Sequence, residues 1–350
     1  MRRSIFFGTA GLLFLLCLSA TAIAADSTNF ANDGFASQIS MNAFNQSVKH
    51  RLEVARFGFY GGVSVPPAQR QVAGNITDCP TSSFTVWADG YGAWGKQKTN
   101  SNGYKIRLGG PALGFDWSNG PVTLGIATTY AWGKIQARDI DHDRKTRMFG
   151  TTAYAQVNYE RFYVNAALSY GYNRFKSERW TINGLASAAP AKEKYHSNAW
   201  NAELEVGTRL NFCNFLLEPH IGVNYFTDRR KSFDEGLPNG AVNTFNKRTY
   251  HALEMPLGLN VGYEIAVGNT MLIPRLRFDW VPQFDRKYGK AYTDDGSIRE
   301  RSQRARHGFI LGAGVQAKVY KSVSAHIDYN VNMRSKAYEH MINAGLGVSF

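Results

Sequence analysis

The sequence predicts an all-β fold: a twelve-stranded antiparallel transmembrane β-barrel with an N-terminal α-helix in its lumen. Three observations support this fold class. The chain from residue 81 onward contains twelve segments in which bulky apolar residues alternate with small or polar ones. The connections between these segments alternate between tight and long, and aromatic residues collect at both ends of the segments. A soluble sandwich has no reason to sort its aromatics in this way, so the membrane barrel is favoured.

The average composition hides this fold. The chain has 350 residues, of which 44% are hydrophobic and 13% aromatic, with a net charge of +13. Only residues 5–25 are apolar enough to resemble a membrane helix, which excludes a polytopic helical membrane protein. Disorder is excluded as well, because so many aromatic and β-branched residues would leave too much apolar surface on an unfolded chain.

Residues 1–25 have the features of a secretory signal peptide. A pair of arginines precedes an apolar run, and Ala22-Ile23-Ala24 matches an A-x-A cleavage site. We expect cleavage after Ala24 or Ala25. The alternative, an uncleaved anchor helix, is disfavoured because the apolar run is short. Together with a barrel, this signal predicts the outer membrane of a Gram-negative bacterium, reached by Sec-type export.

The segment 26–80 precedes the barrel and contains a predicted helix at 36–57, followed by a Gly- and Pro-rich linker. A helix is about 10–12 Å in diameter, which suits the lumen of a barrel of this size. The polar residues expected on this pore helix are Asn42, Asn45, Lys49, Arg51, Glu53 and Arg56. The alternative is an amphipathic helix on a membrane surface, without contact to the lumen.

The barrel domain is predicted to span 81–350. Its twelve segments are 84–97, 103–117, 121–137, 146–160, 161–175, 197–212, 214–228, 249–267, 270–285, 307–320, 322–334 and 338–350. In a membrane barrel the apolar face contacts lipid and the polar face lines a wet lumen. The side chains predicted to face the lumen carry both signs of charge: Glu203, Glu205, Arg209, Glu218, Glu254, Arg275, Arg277 and Arg107.

The second segment contains a predicted irregularity. Gly109 and Gly110 interrupt its alternation, and a bulge there would place Ile106 and Leu108 on the same lipid face as Phe115. This assignment makes Arg107 a lumen residue.

Several motifs resemble the translocator domain of autotransporters, the type V secretion family. The runs WADGYGAWGKQ, GYKIRLGGPALGFDW and LGIATTYAWGKI occur in the family's order, and the chain ends in GLGVSF. The resemblance covers residues 81–350 and implies a twelve-stranded barrel with an α-helix threaded through the pore. It also implies that the terminal aromatic, Phe350, is a signal read by the barrel assembly machinery.

The resemblance raises the question of a passenger. In the family a long segment lies between the signal and the pore helix, whereas only Asp26 to Ser37 are available here. We therefore expect a barrel without a sizeable passenger, and the cargo is unknown. Some members release their passenger between paired asparagines in the helix. Asn42 and Asn45 are separated by two residues, so this cleavage is not expected.

Two other functions remain open. A small-solute channel would use the lumen Arg and Glu residues for selectivity. A surface adhesin or lipopolysaccharide-binding barrel would act through its loops, such as the basic loop 285–306, which includes Arg299, Arg301, Arg304 and Arg306. Outer-membrane lipid and lipopolysaccharide are accordingly expected partners, and nucleic acid is not.

No catalytic or cofactor motif occurs in the sequence, which predicts neither an enzyme nor a cofactor or metal site. The one polar cluster considered for catalysis contains Asp139, Asp141, His142 and Asp143, and a solvated loop explains it more simply. Two cysteines follow the signal. Cys79 and Cys213 are both expected on the periplasmic side, where a disulfide between them is possible in principle.

Overall fold

The computed structural model describes residues 33–60, 82–98, 103–137, 142–182, 185–238, 240, 242–268, 270–285, 291–293, 296–298, 305–319 and 322–350. Ala24, Ala25, Cys79 and the arginines at 299, 301 and 304 lie outside these ranges, so the predictions that rest on them remain predictions.

The described residues form one helix, α1 (Asp33–Tyr60), and nineteen strands. In chain order the strands are β1 (Ser83–Gln97), β2 (Tyr104–Asn119), β3 (Val122–Ala137), β4 (His142–Tyr159), β5 (Phe162–Ile182), β6 (Leu185–Thr208), β7 (Leu210–Phe212), β8 (Phe215–Arg230), β9 (Phe233–Gly236), β10 (Val242–Phe245), β11 (Arg248–Glu254), β12 (Leu257–Tyr263), β13 (Ile265–Val267), β14 (Thr270–Asp285), β15 (Ala291–Thr293), β16 (Gly296–Ile298), β17 (His307–Val319), β18 (Val323–Arg334) and β19 (Ala337–Ser349). Within the described ranges, no helix combines the length and apolar character needed to cross a bilayer.

Antiparallel pairing between sequence neighbours, completed by β1 with β19, closes the sheet into a barrel. The barrel has twelve strands, as predicted, because β6–β7 and β11–β12–β13 are each one barrel strand with interruptions. The break between β11 and β12 falls at Pro256, which has no N–H to donate to the ladder. The short strands β9, β10, β15 and β16 form hairpins within the predicted loops.

The two ends of the barrel differ, as the sequence predicts. Tight turns connect strands at the end where β1 begins, and their residues Gly120, Glu160, Cys213 and Gly268 have φ between 50° and 57°. Most connections at the other end are longer, apart from the two-residue turn 335–336 between β18 and β19, and there β5 and β6 extend across most of the predicted loop from 179 to 195. Short turns are periplasmic and long loops extracellular in outer-membrane barrels, so this polarity orients the molecule.

Aromatic side chains form two outward belts, which confirms the predicted girdles. Toward the extracellular end, the outer face carries Tyr130, Trp132, Tyr172, Trp200, Tyr225, Phe278 and Trp280, all at least 39% exposed. At the periplasmic end it carries Phe115, Tyr159, Phe212 and Tyr263. We call the first set the extracellular girdle.

The predicted bulge in β2 is wrong. Pairing with β1 and β3 keeps one register on both sides of Gly109 and Gly110. Ile106 and Leu108 are buried inside the barrel, and Arg107 faces outward. The cause is the level of this strand end: it lies beyond the extracellular girdle, where the outside is no longer hydrocarbon and the inside packs against α1.

The hydrophobic core of the molecule is the barrel lumen. A single cluster joins Phe35, Ile39, Phe44 and Val48 of α1 to inward side chains of the strands. Phe35 stacks with Tyr104 of β2 at 6.3 Å between ring centroids. The helix therefore fills the space that the strands enclose, in agreement with the predicted lumen position.

Candidate functional site: the helix in the barrel lumen

Most side chains of helix α1 up to Arg56 are buried, and the partly exposed Asn42, Gln46 and Lys49 line a cavity beside it. The helix begins three residues before the predicted start and ends three residues after the predicted end. Several polar side chains on it are as buried as the apolar ones: Asn45 is 1% exposed and Arg56 1%. A buried polar group needs a hydrogen-bond partner, and a buried charge needs a counter-charge. The strands supply these partners in three layers along the helix.

A bidentate contact joins Arg51 of α1 to Asp116 of β2. The Nε and Nη2 atoms of Arg51 donate to the two carboxylate oxygens of Asp116 at 2.6 and 2.7 Å. Asp116 is fully buried and also accepts a hydrogen bond from the Tyr154 hydroxyl at 3.1 Å. Such bidentate geometry fixes both the position and the rotation of a helix, because both N–H groups must be satisfied together.

A second contact of the same layer involves Glu53 and Arg275. These two side chains form an ion pair, and Arg275 also donates to Asp328 of β18 at 2.7 Å. His50 lies within 3.2 Å of the Glu53 carboxylate and 3.4 Å of the Asp328 carboxylate. One arginine of the wall therefore connects an acid on the helix with an acid on another strand.

Arg56 lies nearest to the periplasmic end among these groups. Its guanidinium is 4.0 Å from the centre of the Tyr163 ring and 3.4 Å from the Glu218 carboxylate. Glu218 is also 3.9 Å from Arg209, and Arg209 donates to Glu264 at 3.4 Å. Positive and negative groups therefore alternate from the helix to the wall in the order Arg56, Glu218, Arg209 and Glu264.

The middle layer is centred on Glu203 of β6. Its carboxylate is 3.1 Å from the Lys49 ammonium and accepts a hydrogen bond from the Asn45 amide at 3.3 Å. The amide oxygen of Asn45 accepts from the Ser169 hydroxyl at 2.8 Å. Asn45 is thus held by the wall, with both ends of its amide in use.

The outermost layer holds the start of the helix. Asp33, in the first turn, pairs with Arg144 of β4 and accepts a hydrogen bond from the Tyr195 hydroxyl at 2.8 Å. An acidic side chain at a helix N-terminus is favoured by the helix dipole. Tyr250 donates to Gln38 one turn later at 2.8 Å. These strand residues lie toward the long-loop end, so α1 enters the lumen from the extracellular side.

The remaining predicted site residues lie on the same inner surface. Glu205 accepts from Asn165 at 3.1 Å, and Glu254 accepts from Arg334 at 2.8 Å. Arg277 pairs with Asp279 at 2.6 Å. Asn42 borders a cavity of about 70 Å³ beside the helix, and its side-chain oxygen has no hydrogen-bond partner in the described part of the chain.

Several wall residues of the site were not singled out from the sequence, among them Asp116, Tyr154 and Tyr163. Asp116 stands between the outward residues Phe115 and Trp117, so strict alternation would have placed it inside. The sequence gives no comparable indication for the two tyrosines, because a tyrosine near a girdle can point either to the lumen or to the lipid.

The acidic loop considered for catalysis does not form one site. His142 is buried inside the barrel and hydrogen-bonds Ser177 at 2.7 Å, whereas Asp143 is an outer residue that pairs with Lys134 at 2.6 Å. Asp139 and Asp141 lie outside the described residues. No group of three or more His, Cys, Asp or Glu side chains that could hold a metal ion occurs among the residues described here.

Comparison with known proteins agrees with this architecture. The family model described as the autotransporter β-domain matches residues 86–330. The chain belongs to the autotransporter β-domain family. Such a domain is inserted into the outer membrane of Gram-negative bacteria after Sec export, which confirms the predicted location.

Two relatives illustrate how much of a longer protein this autotransporter β-domain matches. It is 24% identical over 290 residues to the probable autotransporter YpjA of Escherichia coli K12, which covers 79% of this chain and 18% of that protein. It is 24% identical over 291 residues to an extracellular serine protease of Serratia marcescens, covering 79% and 27%. The chain therefore spans less than a third of the length of these relatives.

Solved structures show the same fold. The translocator domain of the autotransporter NalP from Neisseria meningitidis aligns with a TM-score of 0.65 at 15% identity, covering 89% of this chain and 98% of that one. The β-domain of the Bordetella autotransporter BrkA aligns with a TM-score of 0.59 at 20% identity, covering 76% and 98%. The chain is therefore an autotransporter translocator barrel with an N-terminal helix.

Proposed function

We propose that this translocator holds α1 in its lumen as a plug that closes the barrel to ions and small solutes. The observation that carries the proposal is the Arg51–Asp116 pair, a bidentate contact between the helix and the wall with a fully buried carboxylate. A helix that merely passed through a wide pore would keep its charges hydrated. The layers of matched charge along α1 support a defined resting position instead.

The direction of the helix supports outward export. Asp33, at the start of α1, lies among residues of the long-loop end, and Arg56 lies near the periplasmic end. Any segment that precedes residue 33 would therefore emerge on the extracellular side. We propose that this arrangement displays such a segment at the cell surface, whatever its length.

A translocator barrel is non-catalytic in itself. We propose that this chain has no enzymatic role of its own. The protease activity in the names of its Serratia relatives belongs to those proteins. The proposal is supported by the position of the match, which falls on the barrel residues 86–330.

We propose two partners, the barrel assembly machinery and outer-membrane lipopolysaccharide. Support for the first comes from the closing strand. Phe350 follows β19, is 76% exposed, and exchanges backbone hydrogen bonds with Phe84 of β1. A recognition signal at this position would be accessible until the barrel closes. Lipopolysaccharide contact through the basic loop 285–306 remains a proposal, since most of that loop is outside the described residues.

Electrical recording tests the plug, because a closed lumen should carry no steady current. The full mature chain in planar bilayers should show no large, steady conductance. A large conductance from the intact chain would contradict the proposal and favour the small-solute channel.

Terminal mass analysis of protein from purified outer membranes tests whether the helix stays joined to the barrel. Since Asn45 is buried and hydrogen-bonded to Glu203 and Ser169, we expect one chain that contains residues 33–60 together with the barrel. The predicted start is near Ala25. A barrel that begins between Met41 and Asn45 would show that the helix is cut, and the intact plug would be wrong.

A further inference from the structure

The outer wall of β2–β6 carries a row of cations at one level. The pairing registers place Arg107 opposite Lys134, Lys134 opposite Lys145, Lys145 opposite Lys176, and Lys176 opposite Lys194. All five are exposed on the outer face. Next to them, one level closer to the girdle, Arg147 pairs in register with Arg174. We call these seven residues the basic belt.

This arrangement is unfavourable for the barrel alone. Directly opposite residues of neighbouring strands have Cβ atoms about 5 Å apart, and like charges at that spacing repel. Within the described structure, only Lys134 of the belt has an acidic partner within 4 Å, namely Asp143. Among the described residues, the other six cations of the belt have no acidic group within 4 Å, so an anion from outside the chain would relieve their repulsion.

The level of the belt identifies the region that supplies the anion. Lys134 lies two residues beyond Trp132 of the extracellular girdle, a distance of about 7 Å along a strand. Girdle aromatics mark the edge of the hydrocarbon, and the polar headgroup layer of each leaflet is about 5–7 Å thick. The belt is therefore level with the headgroups of the outer leaflet.

The belt also borders a groove. A space of about 1050 Å³ lies against the wall, bordered by Arg107, Lys145, Arg147 and Lys176 and, on its membrane side, by Tyr130 and Trp132. Two acids, Asp143 and Glu178, border it one level farther out, and Asp143 is already paired with Lys134. Cationic groups on the extracellular side and aromatic rings on the membrane side would bind an amphiphile through its anionic headgroup and its apolar chains, respectively. Arginine in particular binds phosphate through two parallel N–H groups.

The outer wall beyond β2 has a different character. Trp94 of β1 is paired in register with Arg107 and stacks on His340 of β19 at 5.3 Å, and farther around the barrel Trp280 of β14 stacks on His307 of β17 at 5.7 Å. Among the described residues, the continuous row of facing cations therefore lies on β2–β6, as expected for a binding site and not for a general coating of the rim.

We propose that the basic belt binds the phosphate groups of a phosphorylated glycolipid in the outer leaflet, with Arg147, Lys145 and Lys176 as its central contacts. This site is separate from the loop 285–306, and it does not depend on whether α1 plugs the lumen. A lipid bound there would neutralise the positive charges of the basic belt. It would also fix the position of this side of the barrel relative to the membrane.

The test measures binding of diphosphoryl lipid A to the full mature chain in detergent by native mass spectrometry. The triple variant K145Q/R147Q/K176Q should bind about 100-fold more weakly, since each basic residue near a lipid surface contributes about fivefold. The matched control K98Q/K247Q/K336Q removes three exposed extracellular lysines outside the belt and should bind like the wild type. The variant K145R/K176R keeps the charge and should also bind.

Two further binding measurements test whether the ligand is a phosphorylated lipid. Dephosphorylated lipid A should bind poorly, and inorganic pyrophosphate should compete only weakly because it lacks the acyl chains. The proposal would be overturned if the triple variant bound lipid A as tightly as the wild type does. It would also be overturned if the control variant lost as much affinity as the triple variant. Pyrophosphate that binds as tightly as lipid A would overturn the lipid assignment. Folding of each variant is checked by its heat-dependent migration on gels.

Discussion

A chain that lacks Asp33–Tyr60 should conduct ions steadily in planar bilayers, with a conductance on the order of tenfold or more above that of the full chain, because a path about 10 Å wide is vacated. The walls of this path would carry Asp116, Glu203 and Arg275 without their helix partners. These charges would then be hydrated and line an aqueous pore.

The matched control for this deletion removes residues 26–32, which precede α1 and leave it intact. This control chain should remain closed. If the deletion of the helix also leaves the barrel closed while the protein still shows the gel migration of a folded barrel, then α1 is not the plug.

The substitution R51M should shift the helix from its docked to an undocked position. It leaves Asp116 as a buried, uncompensated charge, which costs about 3–5 kcal/mol and raises the undocked fraction by about 100-fold or more. The expected observation is brief, repeated channel openings that are rare in the wild type. The double variant R51M/D116N should recover much of the closed state, because it removes the orphaned charge.

Lys49 provides the control for this experiment. Its side chain is 22% exposed, and its pair with Glu203 lies beside a lumen cavity. Partly hydrated pairs contribute about 1 kcal/mol or less, so K49M should raise the open fraction by less than about tenfold. Equal effects of R51M and K49M would contradict the special role of the Arg51–Asp116 pair.

Period-two alternation predicts the barrel because lipid and lumen impose opposite demands on alternate residues. It works for Glu203, Glu205 and Glu218, which lie on strands inside the membrane. It fails at Arg107, where the strand has passed the girdle. The outside there is polar and the inside is occupied by Phe35 of α1, so the same alternation has the opposite meaning.

The partners within the lumen could not be predicted in the same way. Charges of both signs are evident in the sequence, but the pairing of Arg51 with Asp116 depends on the height and rotation of α1 relative to β2. Those quantities follow from the packing of the whole lumen. The sequence did not predict that β5 and β6 extend so far beyond the girdle. Their extracellular parts form a hairpin whose outer face is charged, so the apolar alternation that marks a membrane strand is missing there.

The most direct test of the central claim, that α1 lies inside the barrel, is a disulfide between helix and wall in intact outer membranes. Asn343 of β19 donates to the Ser47 hydroxyl at 2.9 Å, whereas the adjacent Ile342 faces outward and is 39% exposed. In a chain with Cys79 and Cys213 replaced by serine, the pair S47C/N343C should form a crosslink and the pair S47C/I342C should not. Crosslinking of the second pair, or of neither, would contradict the account.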